Sequence, residues 1–226
     1  SIRFKKHDLD MDEEVAIINS STRNEKIKNF FIKNKKKLII VISITLIIII
    51  GYFSLNEIKK INKIKLASKY NLTIIDYNTN KIKQDELLKQ MTHIIERQDQ
   101  TFSPLALYFI IDNNITDNSD VINSLFNKLI KQSNLDYEIK NLIIYKKALY
   151  NSDFLEENEL IKVLNPIINS ESIWKSHALY LMGEFFYSNN EKQKAKEFFN
   201  KILLIPNNNQ NIKMEAQKRL NRDLSE

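Results

Sequence analysis

The hydrophobic pattern contains one unbroken apolar run at residues 38–55, which reads LIIVISITLIIIIGYFSL and holds no charged residue. Eighteen residues of α-helix rise roughly 27 Å, which is close to the hydrocarbon thickness of a bilayer. The serine and threonine side chains in the run can return their hydroxyl hydrogen bonds to the backbone one turn earlier, so lipid tolerates them. The run therefore predicts a transmembrane helix.

Two other structures could contain such a run. A buried helix of a soluble protein is rarely apolar on every face for five turns. A cleaved signal peptide has a short basic start, an apolar core of about 7–15 residues and a small-x-small cleavage site. Here 37 residues precede the run, and residues 54–57, SLNE, offer no such site. We therefore expect an uncleaved anchor.

Basic residues around the run predict its orientation. Seven Lys and Arg residues lie in residues 23–37 and four in residues 54–68. Because the more basic flank stays in the cytoplasm, we expect a cytoplasmic tail at 1–37, a transmembrane helix at 38–55 and a periplasmic domain at 56–226. The chain would then be a single-pass protein of the bacterial inner membrane, and the lysines before the anchor would attract anionic lipid heads.

The pattern beyond the anchor is helical, since apolar residues recur at steps of three and four. Residues 72–75 and 142–144 are short apolar runs that could form strands, but both sit inside longer helical periods. Asn-rich breaks separate the periodic runs. We expect an all-α fold, with helices at 56–77, 81–97, 103–114, 118–132, 135–151, 156–169, 171–188, 191–205 and 209–223.

Composition narrows the chemistry. The chain of 226 residues has no cysteine and two glycines, which excludes disulfides, thiol catalysis, Cys-ligated metals and a glycine-rich phosphate loop. Residues 56–226 carry 24 basic and 22 acidic side chains, a balance that argues against nucleic-acid binding. His7, His93 and His177 lie far apart, without partners at metal-ligand spacing. We expect no enzyme activity, cofactor, metal or small-molecule substrate.

A repeat motif occurs near the C-terminus. Leu179 is followed by Met182, Gly183 and Phe186, then by Ala195 nine residues after Phe186 and Phe199 four further on. This spacing matches the tetratricopeptide pattern, although Leu179 stands where tryptophan is common. Gly183 and Ala195 would be small residues where two antiparallel helices cross, and Phe186 and Phe199 would fill the surrounding space. We expect an α-solenoid of about four such pairs and a terminal helix, with a generic helical hairpin as the alternative for the last pair.

The whole chain resembles the YfgM-like family, the tetratricopeptide-like ancillary subunits of the SecYEG translocon. The resemblance rests on Asp12, Glu13 and Glu14 before the basic run 26–37, on the anchor 38–55, and on residues 178–206 followed by the helix 213–220. It implies an inner-membrane scaffold that acts beside the translocon and is linked to periplasmic chaperones. It implies no catalytic residues. A structural organiser of envelope assembly or cell division is the alternative function.

Aromatic side chains are the remaining binding candidates. In stacked helix pairs the first helices line the concave side, where aromatic anchors would suit an extended or helical peptide. We expect a peptide- or partner-binding groove formed by Tyr108, Tyr145, Tyr180 and Phe185. Each of these could instead be an ordinary core residue.

Overall fold

The structure is a computed structural model that describes residues 2–206 and 209–224, with side-chain surroundings from residue 22 onward. The acidic residues 12–14 therefore lie outside the described side chains, as Asn207 and Asn208 lie outside the described residues. Within the described residues the chain is all-α, with nine helices and no strand. They are α1 (Ile2–Asn78), α2 (Gln84–Glu96), α3 (Phe102–Asp112), α4 (Ser119–Ile130), α5 (Tyr137–Asn151), α6 (Glu157–Ile168), α7 (Lys175–Ser188), α8 (Lys192–Leu203) and α9 (Gln210–Arg222).

The expected all-α class, a long apolar N-terminal helix followed by a helical bundle, is confirmed. The chain divides into two compact units, Ser1–Asn62 and Lys63–Glu226. Helix α1 joins the expected tail, anchor and first helix of the bundle in one element. The boundaries at residues 37 and 55 are the expected limits of the transmembrane segment, and they stay predictions.

The helices of the second unit recur at a nearly constant spacing. Helices α2, α4, α6 and α8 begin at residues 84, 119, 157 and 192, which are 35, 38 and 35 residues apart. Helices α3, α5, α7 and α9 begin at 102, 137, 175 and 210, again 35, 38 and 35 residues apart. Consecutive helices pack against each other from α2 to α9. The bundle is therefore repeat-like, with three extra residues in the pair α5–α6.

The same asparagine turn ends α1, α3 and α7. Asn80, Asn114 and Asn190 have φ of 57°, 49° and 61°, a left-handed conformation that asparagine tolerates better than most residues. In each turn the next N–H donates to the carbonyl five residues earlier, at 2.8 to 2.9 Å. This hydrogen bond closes the end of the helix and reverses the chain. The Asn-rich breaks in the sequence thus mark the turns within three of the helix pairs.

Helix α3 begins at Phe102, one residue before its expected start at 103. Ser103 lies inside the helix, and the side chain of Asp99 accepts the hydrogen bonds of the N–H groups at its start. The Asp99 carboxylate accepts from the backbone N–H groups of Thr101 at 2.9 Å and Phe102 at 2.7 Å. Asn118 caps α4, because its side-chain oxygen accepts from two N–H groups of the first turn.

The core consists of two clusters that meet at α5. One cluster is built on the buried side chains of α2, α3 and α4, and includes Ile143 of α5. The other is built on α6, α7, α8 and α9, and includes Ile144 of α5. Because adjacent residues of one helix enter different clusters, α5 connects the two halves of the bundle.

Polar contacts link positions that are about one repeat apart. Gln132 Nε2 donates to the carbonyl oxygen of Gln98 at 2.5 Å, and Ser172 Oγ donates to Glu138 Oε2 at 2.6 Å. Each pair is separated by 34 residues. Stacked repeats place equivalent positions beside each other, so this separation is expected of them. Ion pairs with similar separations are Lys128–Glu96, Lys194–Glu157 and Arg219–Glu184, at 32, 37 and 35 residues.

Candidate interaction surfaces

The apolar run lies in α1 with its side chains outward. The large apolar side chains from Ile39 to Leu55 are 49–68% exposed. Thr45 Oγ1 donates to the Val41 carbonyl at 2.9 Å, the expected return bond to the backbone. Among the described helices, α1 is the one that is long and apolar enough to cross a membrane. Burying so much apolar surface in lipid would be strongly favourable.

The four expected packing residues of the repeat motif meet between α7 and α8. Gly183, Phe186, Ala195 and Phe199 are all buried. The ring of Phe199 occupies the space that a side chain at position 183 would need. The close approach is therefore between Gly183 and an aromatic ring. The motif predicted two small residues at the crossing with the rings of Phe186 and Phe199 around them, and in the structure the Phe199 ring lies directly against Gly183.

Tyr108 lines a small cavity of about 210 Å³ between α3, α4 and α5. Its hydroxyl is buried and has no hydrogen-bond partner among the described residues. Burial, with the nearby Asp112 carboxylate, raises the pKa of this hydroxyl well above its usual value. Lys146 Nζ lies 4.7 Å from the centre of the Tyr108 ring. The cavity could hold one apolar side chain beside a polar hydroxyl.

Tyr145 belongs to an aromatic cluster with Trp174 and His177. The rings of Tyr145 and Trp174 are stacked, with centres 6.2 Å apart, and the His177 ring lies 5.1 Å from Trp174. Burial raises the pKa of Tyr145 and lowers the pKa of His177. The indole Nε1 of Trp174 and Nδ1 of His177 are buried without hydrogen-bond partners in the described part of the chain.

The other two predicted groove residues lie on α7. Tyr180 packs against Phe199, with ring centres 5.3 Å apart, and burial together with the Glu184 carboxylate raises its pKa. Phe185 packs on Phe186 and lines a separate cavity near the α5–α6 connection. Tyr145, Tyr180 and Phe185 thus pack against the cluster of α6 to α9, and Tyr108 packs against the cluster of α2 to α4. That these residues bind a peptide stays a prediction.

A larger groove, of about 1010 Å³, was not expected from the sequence. Its lining comes from the end of α6, the start of α7 and the end of α8. Ile173 and Leu204 in this lining are 67% and 81% exposed. Trp174 and His177 also line it. One signal in the sequence could have indicated this groove. Ile173 lies just before α7 and Leu204 just after α8, and exposed turn residues are normally polar.

The histidines and carboxylates form no metal cluster within the described residues. His93 and Glu96 share α2, but Glu96 accepts a hydrogen bond from Lys128 Nζ at 2.8 Å. That interaction lowers the pKa of Glu96. The carboxylates Asp85 and Glu86 lie in the first turn of α2, where they favour the helix dipole.

Comparison with known proteins adds no further identification. Neither the protein-family models, nor the curated proteins, nor the solved structures contain a match to this chain.

Proposed function

We propose that this protein is a membrane-anchored protein-interaction scaffold of the bacterial periplasm, acting beside the secretion translocon and linked to periplasmic chaperones. The observation that carries this proposal is that α1 contains the apolar segment and also ends in the core of the repeat-like bundle. Leu66, Tyr70 and Tyr77 of α1 pack against the cluster of α2 to α4. Stacked helical repeats provide extended surfaces for other proteins.

Three further observations support a tetratricopeptide-like domain in the YfgM-like family. Helix starts recur every 35 or 38 residues, close to the period of about 34 residues in tetratricopeptide repeats. The motif residues Gly183, Ala195 and Phe199 pack together between α7 and α8. The order of acidic residues, basic run, anchor and helical domain matches that of the family.

The basic flank supports a cytoplasmic N-terminus, with residues 56–226 in the periplasm of a single-pass inner-membrane protein. An alkaline phosphatase fused after residue 226 should be active, because that enzyme matures only outside the cytoplasm. Activity of a cytoplasmic reporter alone at the same site would reverse this orientation.

Purification of the full chain from membranes in a mild detergent tests the partner. The proposed function predicts that Sec translocon subunits and periplasmic chaperones accompany the chain. Recovery of division or outer-membrane assembly proteins in their place would favour the alternative, a structural organiser of the envelope.

A further inference from the structure

The two ends of the helical bundle differ in the polarity of their outer faces. At the C-terminal end, Met214 is the one exposed large apolar residue within the described part of α9. At the other end, Ile64, Leu72 and Ile75 of α1 are 60%, 54% and 51% exposed. A stack of helical repeats needs polar outer faces on its terminal helices to stay soluble. Helix α9 meets this requirement, and the last part of α1 does not.

The exposed apolar residues of α1 form one stripe. Ile64, Ser68, Leu72 and Ile75 follow each other at steps of four, four and three, so they share one face of the helix. We call these four residues the outer stripe. The opposite face already packs on the core through the partly buried Leu66, Tyr70, Ile74 and Tyr77 and the buried Thr73. A helix that is apolar on opposite sides is normally covered on both of them.

Charge beside the outer stripe indicates what would cover it. Lys65 and Lys69 flank the stripe, and neither forms an ion pair within the described residues. Asp76, the nearest acidic residue of α1, pairs instead with Lys81 at 3.4 Å. A second copy of the chain would bring further lysines to the same surface. A helix with carboxylates would complement the lysines.

We propose that the outer stripe binds an amphipathic helix of a partner protein, with an apolar face that is flanked by Asp or Glu. This rests on the proposed scaffold function and names the class of partner. The stripe begins nine residues after Leu55, the last residue of the expected anchor. Nine residues span about 30 Å at most, even in a fully extended chain. The partner helix therefore lies near the membrane surface.

The test uses the full chain in nanodiscs of phosphatidylcholine and three fluorescent synthetic peptides. One peptide is a 21-residue amphipathic helix with a Leu and Ile face flanked by Glu. The second has Lys in place of Glu, and the third has the residues of the first in scrambled order. Anisotropy is measured against empty nanodiscs. The Glu-flanked peptide should bind, and the other two should bind at least about tenfold more weakly.

Matched variants locate the binding face. The triple change Ile64→Gln, Leu72→Gln and Ile75→Gln should weaken binding of the Glu-flanked peptide by about tenfold or more. Gln is a good helix former, so these exposed positions should stay helical. Met214→Gln on α9 is the control and should leave binding unchanged. The double change Lys65→Glu and Lys69→Glu should transfer the preference to the Lys-flanked peptide.

Three kinds of result would overturn the proposal. One is equal binding of the Glu-flanked and Lys-flanked peptides, or binding that the triple variant retains. Another is disulfide formation between two copies of Leu72→Cys, which is informative because the chain has no native cysteine. The third is quenching of a probe on that cysteine by spin-labelled lipid, which would place the stripe on the bilayer. If partners still co-purify with the triple variant, the proposed scaffold function is supported, but the outer stripe is not the surface that binds them.

Discussion

Gly183 of α7 and Phe199 of α8 are in such close contact that no larger residue fits at position 183. A Cβ atom at this position would lie 2.6 Å from Cε1 and 2.7 Å from Cζ of the Phe199 ring. The ring cannot move aside easily, because Phe199 is fully buried and packs on Tyr180. A mid-helix glycine costs about 1 kcal/mol relative to alanine, and this contact explains its presence.

Gly183→Leu should lower the melting temperature of residues 56–226. Overpacking of this kind costs about 1–3 kcal/mol, which exceeds the gain in helix propensity of about 0.8 kcal/mol. The control is Asn200→Leu, which adds the same side chain at an exposed position of α8. A melting temperature that rises or stays constant in Gly183→Leu would show that the close contact is absent. Adding Phe199→Leu should recover part of the loss.

Removal of residues 1–55 should leave a soluble, helical domain. The continuous apolar band of α1 lies within the deleted part, whereas the core-facing residues Leu66, Tyr70 and Tyr77 remain. Removal of residues 1–80 is the comparison, since it takes Leu66, Tyr70 and Tyr77 away from the cluster of α2 to α4. Circular dichroism should show a folded domain in the first case and a lower melting temperature in the second. An unfolded or β-rich product of the first truncation would contradict the fold.

Sequence periodicity was sufficient for the all-α fold, and several helices also have a local signal at one end. The asparagines at 80, 114 and 190 stop three helices in the same way, and Asn118 caps another. The role of Asp99 before α3 was not expected from the sequence, since Ser103 followed by Pro104 also has the composition of a helix start. Local signals of this kind compete, and tertiary contacts decide between them.

The candidate surfaces were harder to predict than the helices. Gly183 and Phe199 lie in contact, because the spacing of the motif residues brings α7 and α8 together at these positions. Tyr108 and Tyr145 belong to the same three- and four-residue apolar pattern as the core residues of their helices. The sequence therefore could not show which side chains each would contact. Ile173 and Leu204 are 31 residues apart, and their common groove depends on how α6, α7 and α8 stack. Periodicity within one helix carries no information on that stacking.

Arg219→Lys should loosen α9 from α7. The Arg219 guanidinium donates to both oxygens of Glu184, at 2.7 and 2.6 Å, and to Asp223 at 2.9 Å. These interactions raise the pKa of Arg219, and the bonds from Arg222 and Arg219 lower the pKa of Asp223. Lysine cannot form the bidentate pair. We expect a loss of about 1–2 kcal/mol in the free energy of unfolding.

Hydrogen exchange of the α9 amides measures this loosening directly. Lys218→Gln is the control, because Lys218 pairs with Glu215 in an exposed ion pair that contributes little to stability. Equal exchange in α9 of Arg219→Lys and Lys218→Gln would show that the Arg219 contacts do not hold the helix.

The stability of the domain should decrease as the pH falls below the ordinary pKa of histidine. Burial lowers the pKa of His177 in the folded state, so the unfolded chain takes up a proton at a higher pH than the folded one. Unfolding is therefore favoured as the pH drops from about 6.5 towards the lowered pKa. Urea unfolding at pH 7.5 and 5.5 measures the change. His177→Phe should reduce this pH dependence, and the exposed His93→Gln should not. A pH dependence that survives His177→Phe unchanged would assign it to other groups.

Replacement of the helical domain by an unrelated one tests most directly whether that domain is a scaffold at the translocon. The full chain and a version with residues 63–226 replaced by an unrelated monomeric domain are purified from membranes in the same mild detergent. The account predicts that Sec subunits and periplasmic chaperones accompany the full chain and are lost with the replacement. Their equal recovery with both proteins, or their absence from the full chain, would contradict it.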